Sequence, residues 1–206
     1  MTNPEELGFR HRFERGTEGS GPPLLLLHGT GGDENDLLPL GRAVAPGVAL
    51  LSPRGQVLEQ GMPRFFRRLA EGVFDEEDLR RRTGELADFV AAARDAYGIP
   101  APVALGFSNG ANIAAAMLLL RPGVLRGAAL LRAMVPLRQP PAARLDGTPV
   151  LLLSGAADPI VPAANSAELA TQLEQAGAAV TRQVLPVGHG LSQADLMLVK
   201  NWLAAL

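Results

Sequence analysis

A serine flanked by glycines is the part of this sequence best suited to covalent chemistry. It lies in Gly106-Phe107-Ser108-Asn109-Gly110, after the apolar run Val103-Ala104-Leu105 and before an apolar, helix-like stretch. A strand that turns abruptly into a helix holds its corner residue in a strained conformation, and glycine at the neighbouring positions removes steric collisions. The pattern therefore predicts a nucleophile elbow, with Ser108 as the attacking residue.

A serine hydroxyl needs a general base within hydrogen-bond reach, usually a histidine that a carboxylate orients. The chain has three histidines. His11 lies among arginines in the polar N-terminal segment, where we interpret it as a solvated residue, and His28 ends an apolar run, where a structural role is expected. His189 follows the last predicted strand and lies between two glycines, so it is the predicted base. The alternative for His189 is an ordinary surface loop residue.

Asp158 is the predicted carboxylate because it comes just after a buried apolar run. The alternative is a plain turn residue, since Asp-Pro dipeptides often open turns. The chain order Ser108, Asp158, His189 favours the catalytic role, because it is the order found in the α/β-hydrolase fold. Asp146 and Asp195 are weaker candidates, since the first precedes a strand and the second lies in a helix turn.

Acyl transfer also needs N–H donors for the oxyanion, and we assign that role to the backbones of Thr30 and Asn109. Thr30 lies in His28-Gly29-Thr30-Gly31-Gly32, directly after the first apolar strand. The alternative, a phosphate-binding glycine loop, is disfavoured because the third glycine of the dinucleotide pattern is absent and acidic residues follow.

The elements that must position these residues alternate between short apolar runs and helical patterns, which predicts an α/β fold with a mostly parallel sheet and helices on both faces. Seven strands are expected, near residues 8–14 (an edge), 24–27, 48–51, 103–107, 127–131, 150–153 and 180–185. Helices are expected near residues 76–97, after the elbow, and near 163–175 and 193–206.

Composition limits the possible classes of protein. The 206 residues are 47% hydrophobic and 19% charged, as in a globular protein, and show no internal boundary, so one domain over residues 1–206 is expected. The absence of cysteine excludes disulfides and thiolate metal sites. A formal net charge of −2 gives no basic field for a nucleic acid.

The start of the sequence does not resemble a secretory signal. The first twenty residues are polar and lack the apolar centre of a secretory signal, and no run approaches 18 uninterrupted apolar residues. We therefore expect a cytoplasmic location and no stable membrane association.

Several segments, in order and at similar spacing, resemble the phospholipase/carboxylesterase family of α/β-hydrolases, which includes acyl-protein thioesterases and small bacterial carboxylesterases. The segments are Leu27 to Glu34, Ser52-Pro53-Arg54-Gly55, the elbow, Gly155 to Pro162, and Gly188-His189-Gly190-Leu191. The resemblance implies a fold without a large lid domain, no cofactor, a triad of Ser108, Asp158 and His189, and oxyanion donors at Thr30 and Asn109. It also makes a homodimer plausible.

Two departures place the chain nearer the bacterial carboxylesterase branch of that family. Many thioesterase-like members carry Gln-Gly-Gly after the serine, where this chain has Asn109-Gly110-Ala111, and leucine where it has Thr30. The expected activity is hydrolysis of short to medium acyl or aryl esters through an acyl-enzyme on Ser108. Thioesterase or lysophospholipase activity is the alternative within enzymes, and a non-catalytic ligand-binding protein is the alternative outside them.

Residues 54–74 form a long segment without clear periodicity, and such segments are often functional. We expect it to fold over the site and provide an apolar wall for the substrate. Its aromatic residues are Phe65, Phe66 and Phe74, and the wall would be completed by Met134, Ile160 and Leu191. Ordinary core packing is the alternative for each of these side chains. Three arginines of the segment, Arg64, Arg67 and Arg68, are expected to be solvated, and the alternative is that they attract an anionic group of the substrate.

Overall fold

A computed structural model describes residues 7–206. Eleven strands and five helices are found in this part of the chain. The strands are β1 (His11–Glu14), β2 (Leu24–Leu27), β3 (Leu50–Pro53), β4 (Val57–Glu59), β5 (Met62–Arg64), β6 (Arg68–Ala70), β7 (Val73–Phe74), β8 (Val103–Phe107), β9 (Gly127–Leu131), β10 (Pro149–Gly155) and β11 (Ala179–Leu185). The helices are α1 (Leu38–Val44), α2 (Glu76–Tyr97), α3 (Asn109–Leu120), α4 (Ala163–Gln175) and α5 (Gln193–Leu203).

Seven of the strands form one sheet in the order β1-β3-β2-β8-β9-β10-β11. Strand β1 is antiparallel to β3, and every other pair in the sheet is parallel. The predicted mostly parallel sheet of seven strands is therefore confirmed, including the edge strand at the N-terminal end of the described chain. Because the parallel strands share one direction, the residues that follow β2, β8, β10 and β11 emerge at one edge of the sheet.

Successive side chains on each central strand point to opposite faces of the sheet, and helices cover both faces. Leu25 and Leu27 pack with the buried residues of α2, α3 and α4. Leu24 and Leu26 pack on the other face with α1 and α5. Strands that are buried on both faces read as continuous apolar runs, which is why the sequence of β2 is four leucines.

The helices predicted near residues 76–97, after the elbow and near 163–175 are confirmed, whereas α5 ends at Leu203, three residues before its predicted end. Helix α2 begins behind Asp75, whose side chain accepts a hydrogen bond from the backbone N–H of Asp78, and ends at Gly98 with φ 65°. Helix α3 is buried on nearly all sides, as its apolar sequence indicates. The short helix α1 was not predicted, since its seven residues include Pro39 and Gly41 and are too few for a clear period. Across residues 7–206, no helix is both long and apolar enough to cross a bilayer.

Residues 54–74 are more regular than the sequence indicates, because they form two small hairpins. Strands β4 and β5 pair antiparallel around Gln60 and Gly61, which have φ values of 52° and 80°. Two successive residues with positive φ are the signature of a type I′ turn, whose twist suits a two-residue hairpin loop. Strands β6 and β7 form the second hairpin. With only two or three residues each, these strands are too short to show alternation in the sequence.

One buried arginine joins the ends of several elements. Arg132 follows β9, has no exposed surface and adopts φ 57°, a strained value for a residue with a side chain. Its guanidinium donates to both carboxylate oxygens of Asp195 at 2.8 Å. It also donates to the carbonyls of Gly188 and Gly190 at 3.1 Å and of Leu153 at 3.3 Å. These five acceptors match the five N–H donors of an arginine.

The same ion pair fixes the start of α5. Asp195 is fully buried, and its carboxylate accepts from the N–H and the hydroxyl of Ser192, which caps the helix. Burial by itself raises the pKa of Asp195, but the hydrogen bonds from Arg132 and Ser192 outweigh burial and hold the pKa below its usual value. The loop between Gly188 and Gly190 is thus tied to β9, β10 and α5 through one side chain.

Replacing Asp195 by Asn breaks this buried pair, so we expect the free energy of unfolding at pH 7 to fall by about 3–5 kcal/mol. Because the pKa of Asp195 is lower in the folded than in the unfolded chain, its stabilisation is complete above about pH 3.9 and is lost as the pH falls through the folded pKa. The difference between wild type and Asp195→Asn should therefore narrow in acid. Urea unfolding at neutral pH and at about pH 3 measures it.

The control for this substitution is Asp88→Asn, which removes an exposed ion pair with Arg121. That change should cost less than about 1 kcal/mol. The stabilising role of the Arg132–Asp195 pair is contradicted if Asp195→Asn is as stable as the wild type at pH 7. It is also contradicted if the difference in free energy of unfolding between the two proteins widens in acid.

Candidate active site

Ser108 lies at a sharp corner between β8 and α3. Its φ of 51° and ψ of −113° fall in a region that non-glycine residues rarely occupy. Two backbone hydrogen bonds hold the corner. The N–H of Ser108 donates to the carbonyl of Leu131 at 2.9 Å, and the carbonyl of Ser108 accepts from the N–H of Asn112 at 2.9 Å. This strained strand-to-helix turn has the geometry of a nucleophile elbow.

The two glycines of the motif are required by close backbone contacts. A Cβ on Gly106 would lie 2.7 Å from the Cα of Ala111, and one on Gly110 would lie 2.6 Å from the carbonyl oxygen of His28. Distances this short do not occur for real Cβ atoms, so a side chain at Gly106 would push the start of α3 away from β8, and one at Gly110 would push it away from the end of β2. The sequence argument for these glycines therefore agrees with the packing.

The three side chains assigned to a triad lie in one hydrogen-bonded chain. Nε2 of His189 is 2.9 Å from Oγ of Ser108, and Nδ1 of His189 is 2.8 Å from Oδ2 of Asp158. The ring of Phe107 lies beside the imidazole, with 5.3 Å between centroids. Asp158 comes from the loop after β10 and His189 from the loop after β11, so three strand ends meet at this point.

Asp158 is fixed as an ionised acceptor. Its side chain has no exposed surface, and Oδ1 accepts from the backbone N–H groups of Ile160 at 2.8 Å and Val161 at 3.0 Å. Burial would raise the pKa of Asp158, but these two N–H groups and His189 outweigh it and lower the pKa. The carboxylate is therefore charged at neutral pH and holds the proton of His189 on Nδ1.

Two backbone N–H groups remain without partners beside the serine. Within residues 7–206, no hydrogen bond is donated by the backbone N–H of Thr30 or of Asn109, and both residues line the same cavity as Ser108. Asn109 is the first residue of α3, so its N–H lies at the positive end of that helix. The arrangement can stabilise a negative oxygen that develops next to Ser108.

The segment of residues 54–74 packs directly on residues 28–32, the loop after β2 that carries Thr30 and is called the oxyanion loop below. The N–H of Gly31 donates to the carbonyl of Pro63 at 3.0 Å, and Arg64 Nη1 donates to Oγ1 of Thr30 at 2.6 Å. The N–H of Phe65 donates to Oδ1 of Asn109 at 2.7 Å. The segment thus holds both residues that carry the free N–H groups.

His28 has the structural role that the sequence indicates. Its side chain is 1% exposed, Nδ1 lies 2.7 Å from the carbonyl of Gly29, and Nε2 accepts from the N–H of Gly55 at 2.9 Å. Burial lowers the pKa of His28, which keeps the ring neutral and able to accept. His11 differs from the expectation of a solvated residue, because it is half-buried and bonded to Tyr97 and to the carbonyl of Phe9.

The site opens into a cavity of about 320 Å³. Its walls combine charged and apolar groups, namely Thr30, Arg64, Arg68, Glu71, Gly72, Phe74, Phe107, Ser108, Asn109, Asn112, Arg132, Met134, Ile160, Val161 and His189. Of the side chains predicted to bind substrate, Met134 and Ile160 line this cavity. Phe65, Phe66 and Leu191 do not.

Phe65 and Phe66 require a correction. They are 2% and 0% exposed and belong to the hydrophobic core, where Phe65 lies against His28 and Phe66 against Phe74. Core packing was the alternative considered for them, and the sequence offers no period by which to separate the two roles. Phe74, from the same segment, does reach the cavity. Leu191 is 36% exposed and lies outside the cavity lining.

Two arginines at the site were missed or misplaced by sequence reasoning. Arg64 is 3% exposed rather than solvated. Arg132 was not singled out at all, although a lone charge inside the apolar run Leu130-Leu131-Arg132-Ala133-Met134 signals a buried, paired group. Among the described residues, no cluster of three or more histidine, aspartate or glutamate side chains could hold a metal ion.

The chain is similar to known proteins over nearly its whole length. Residues 14–206 match the Phospholipase/Carboxylesterase family. The chain is 46% identical over 196 residues to the Bacillus subtilis (strain 168) protein named "Putative hydrolase MhqD", covering 94% of this chain and 97% of that protein.

Solved structures show the same relationship. The fold matches the Bacillus cereus carboxylesterase with a TM-score of 0.95 and 47% identity, over 98% of this chain and 96% of that one. It matches a carboxylesterase from Mesorhizobium loti with a TM-score of 0.86 and 36% identity, over 90% and 89% of the two chains. The α/β-hydrolase fold expected from the sequence is confirmed, and the chain belongs to the Phospholipase/Carboxylesterase family of carboxylic ester hydrolases.

Proposed function

We propose that this protein is a serine carboxylesterase that hydrolyses short acyl or aryl esters through an acyl-enzyme on Ser108. The observation that carries the proposal is the unbroken hydrogen-bond chain from Ser108 through His189 to Asp158. Family membership supports hydrolysis of carboxylic esters in general. The hydrogen bonds that join Ser108, His189 and Asp158 support a serine nucleophile.

In this mechanism His189 takes the hydroxyl proton of Ser108 on Nε2 as the oxygen attacks the ester carbonyl. The carbonyl oxygen becomes negative and accepts from the backbone N–H groups of Thr30 and Asn109. The C–O bond to the alcohol then breaks, and the proton on His189 passes to the leaving oxygen. Water attacks the acyl-enzyme by the same route in reverse and releases the acid. Asp158 keeps Nδ1 of His189 protonated and stabilises the imidazolium in both steps.

The dimensions of the cavity favour small substrates. A volume of about 320 Å³ lies at the lower end of the range for small-molecule sites. The walls also bring charged groups close to the serine, namely Arg64, Arg68 and Glu71. A long acyl chain would have to lie against these charges or leave the cavity, so a short ester fits better than a lysophospholipid.

Replacing Ser108 by Ala removes the nucleophile, and we expect kcat for 4-nitrophenyl acetate to fall by at least about 10⁴-fold. Ser20→Ala is the matched control, because Ser20 bonds to the carbonyls of Thr17 and Gly47 and does not line the cavity. Steady-state rates of both variants decide the point. Retention of full activity by Ser108→Ala would refute the nucleophile assignment.

The same purified enzyme discriminates between the alternative activities. Acetate and butyrate esters should give higher kcat/KM values than long-chain acyl thioesters or lysophosphatidylcholine. A preference for the thioester or the lysolipid would replace the proposed carboxylesterase with the corresponding activity. An inactive wild type toward all three classes would favour a binding protein.

Asp158→Asn tests the carboxylate. Because Oδ1 of Asp158 accepts two backbone N–H groups, the amide oxygen of Asn should take that place and turn its NH₂ toward His189. Nδ1 of His189 must then accept a hydrogen bond from the amide, so the ring proton moves to Nε2. A protonated Nε2 can no longer take the hydroxyl proton of Ser108. We expect kcat to fall by up to about 10⁴-fold with the fold retained.

The control is Asp146→Asn, at an exposed position with φ 42° that Asn tolerates. Its rate should equal that of the wild type. The carboxylate assignment fails if Asp158→Asn stays within about threefold of the wild-type rate, a change that is smaller than a hydrogen bond to a charged group supplies.

A further inference from the structure

Arg64 combines burial with an incomplete set of partners. Its Nε donates to the carbonyl of Phe66 at 3.1 Å and lies 3.3 Å from Oε2 of Glu59, and its Nη1 donates to Thr30 Oγ1. Within residues 7–206, Nη2 has no hydrogen-bond partner. It is not one of the fully buried polar atoms without a partner, so it keeps some accessible surface. Since Arg64 is 3% exposed and lines the cavity, we infer that its remaining accessible surface faces the cavity.

The charges around Arg64 do not cancel. Arg68 donates to Glu59 through Nε at 2.9 Å and Nη2 at 2.7 Å, so two guanidinium groups share one carboxylate. Arg68 also lines the cavity. The nearby Arg132 is already neutralised by Asp195, and the acidic residue of the lining, Glu71, is exposed, so water screens its charge. With the screened charge of Glu71 left out, Arg64, Arg68 and Glu59 leave one positive charge in excess beside the cavity.

The desolvation of Arg64 makes this excess charge significant. Burial, together with the charge of Arg68, lowers the pKa of Arg64 against the opposing effect of Glu59. A cation that has lost its water without gaining a full partner gains more from an incoming anion than an exposed arginine does.

We propose that Arg64 forms a carboxylate-binding subsite and that the preferred ester carries a carboxylate a few bonds from its carbonyl, as in a half-ester of a short dicarboxylic acid. This inference rests on the proposed function, because it names the substrate class of the same site. A monoanion matches the single excess charge, and the planar guanidinium suits a planar carboxylate.

The position of Arg64 sets the length of the substrate. Its Nη1 is bonded to the side chain of Thr30, whose backbone N–H is a proposed oxyanion donor. The carboxylate and the oxygen of the scissile carbonyl would therefore bind on opposite sides of Thr30, separated by about the width of one residue. This separation suits a succinate or glutarate half-ester. The bond through Nη1 holds residues 54–74 to the oxyanion loop, the bond through Nε lies within the segment itself, and Nη2 is left for the substrate.

Two isosteric esters test the subsite, namely monoethyl succinate, which is anionic, and ethyl succinamate, in which a neutral amide replaces the carboxylate. In the wild type, kcat/KM for the half-ester should exceed that for the amide by roughly tenfold to a hundredfold. The ratio of the two values is the readout, because a general loss of activity affects both esters and cancels.

Arg64→Met should lower this ratio to about one, since the charge is removed. Arg64→Lys should keep part of the preference, because the ammonium retains the charge but loses the planar pair of donors. The matched control is Arg67→Met, whose side chain is 63% exposed, pairs with Asp75 and does not line the cavity, and which should leave the ratio unchanged.

The outcomes separate this inference from the proposed function. A wild-type ratio at or below one, or a ratio that Arg64→Met leaves unchanged, overturns the subsite while the esterase stands. If the wild type hydrolyses neither ester, calorimetry with monoethyl succinate on Ser108→Ala decides the subsite. The subsite is supported if Ser108→Ala binds monoethyl succinate and the double variant Ser108→Ala/Arg64→Met does not. It is overturned if the single and double variants bind the half-ester equally.

Discussion

The site depends on a geometry that keeps the imidazole of His189 within hydrogen-bond reach of Ser108 while Asp158 holds its other nitrogen. These residues are far apart in the sequence and come from the ends of three strands, β8, β10 and β11. The strained backbone of Ser108 brings the hydroxyl to the edge where those ends meet, and the buried carboxylate of Asp158 fixes the ring. Displacement of any one of the three would break the chain.

Buried arginines hold the loops that complete this arrangement. Arg132 binds the carbonyls on both sides of His189 and anchors them to the carboxylate of Asp195. Arg64 bonds the oxyanion loop through the side chain of Thr30. A buried guanidinium is costly unless its donors are used, so each must be matched by several acceptors from different elements. Arg132 meets that requirement, whereas Arg64 leaves one nitrogen unused at the cavity wall.

The parts of the structure that the sequence could predict are those with local signals. The apolar strands, the glycines around Ser108 and the loop position of His189 all have such signals, whereas the order of the strands is seen only in the structure. The burial of Phe65 and Phe66 could not be predicted, because a segment without a period does not tell which side chains turn inward. The partners of Arg132 lie more than 20 residues away, so only packing reveals them.

The most direct test of the central claim is the reaction of the folded protein with a fluorophosphonate, followed by intact-mass measurement and peptide mapping. An activated serine should form a covalent phosphonyl adduct, whereas an ordinary hydroxyl does not react. The account predicts one adduct, located on Ser108, and its loss in His189→Ala. An unlabelled Ser108, or an adduct on a different residue, would contradict the account.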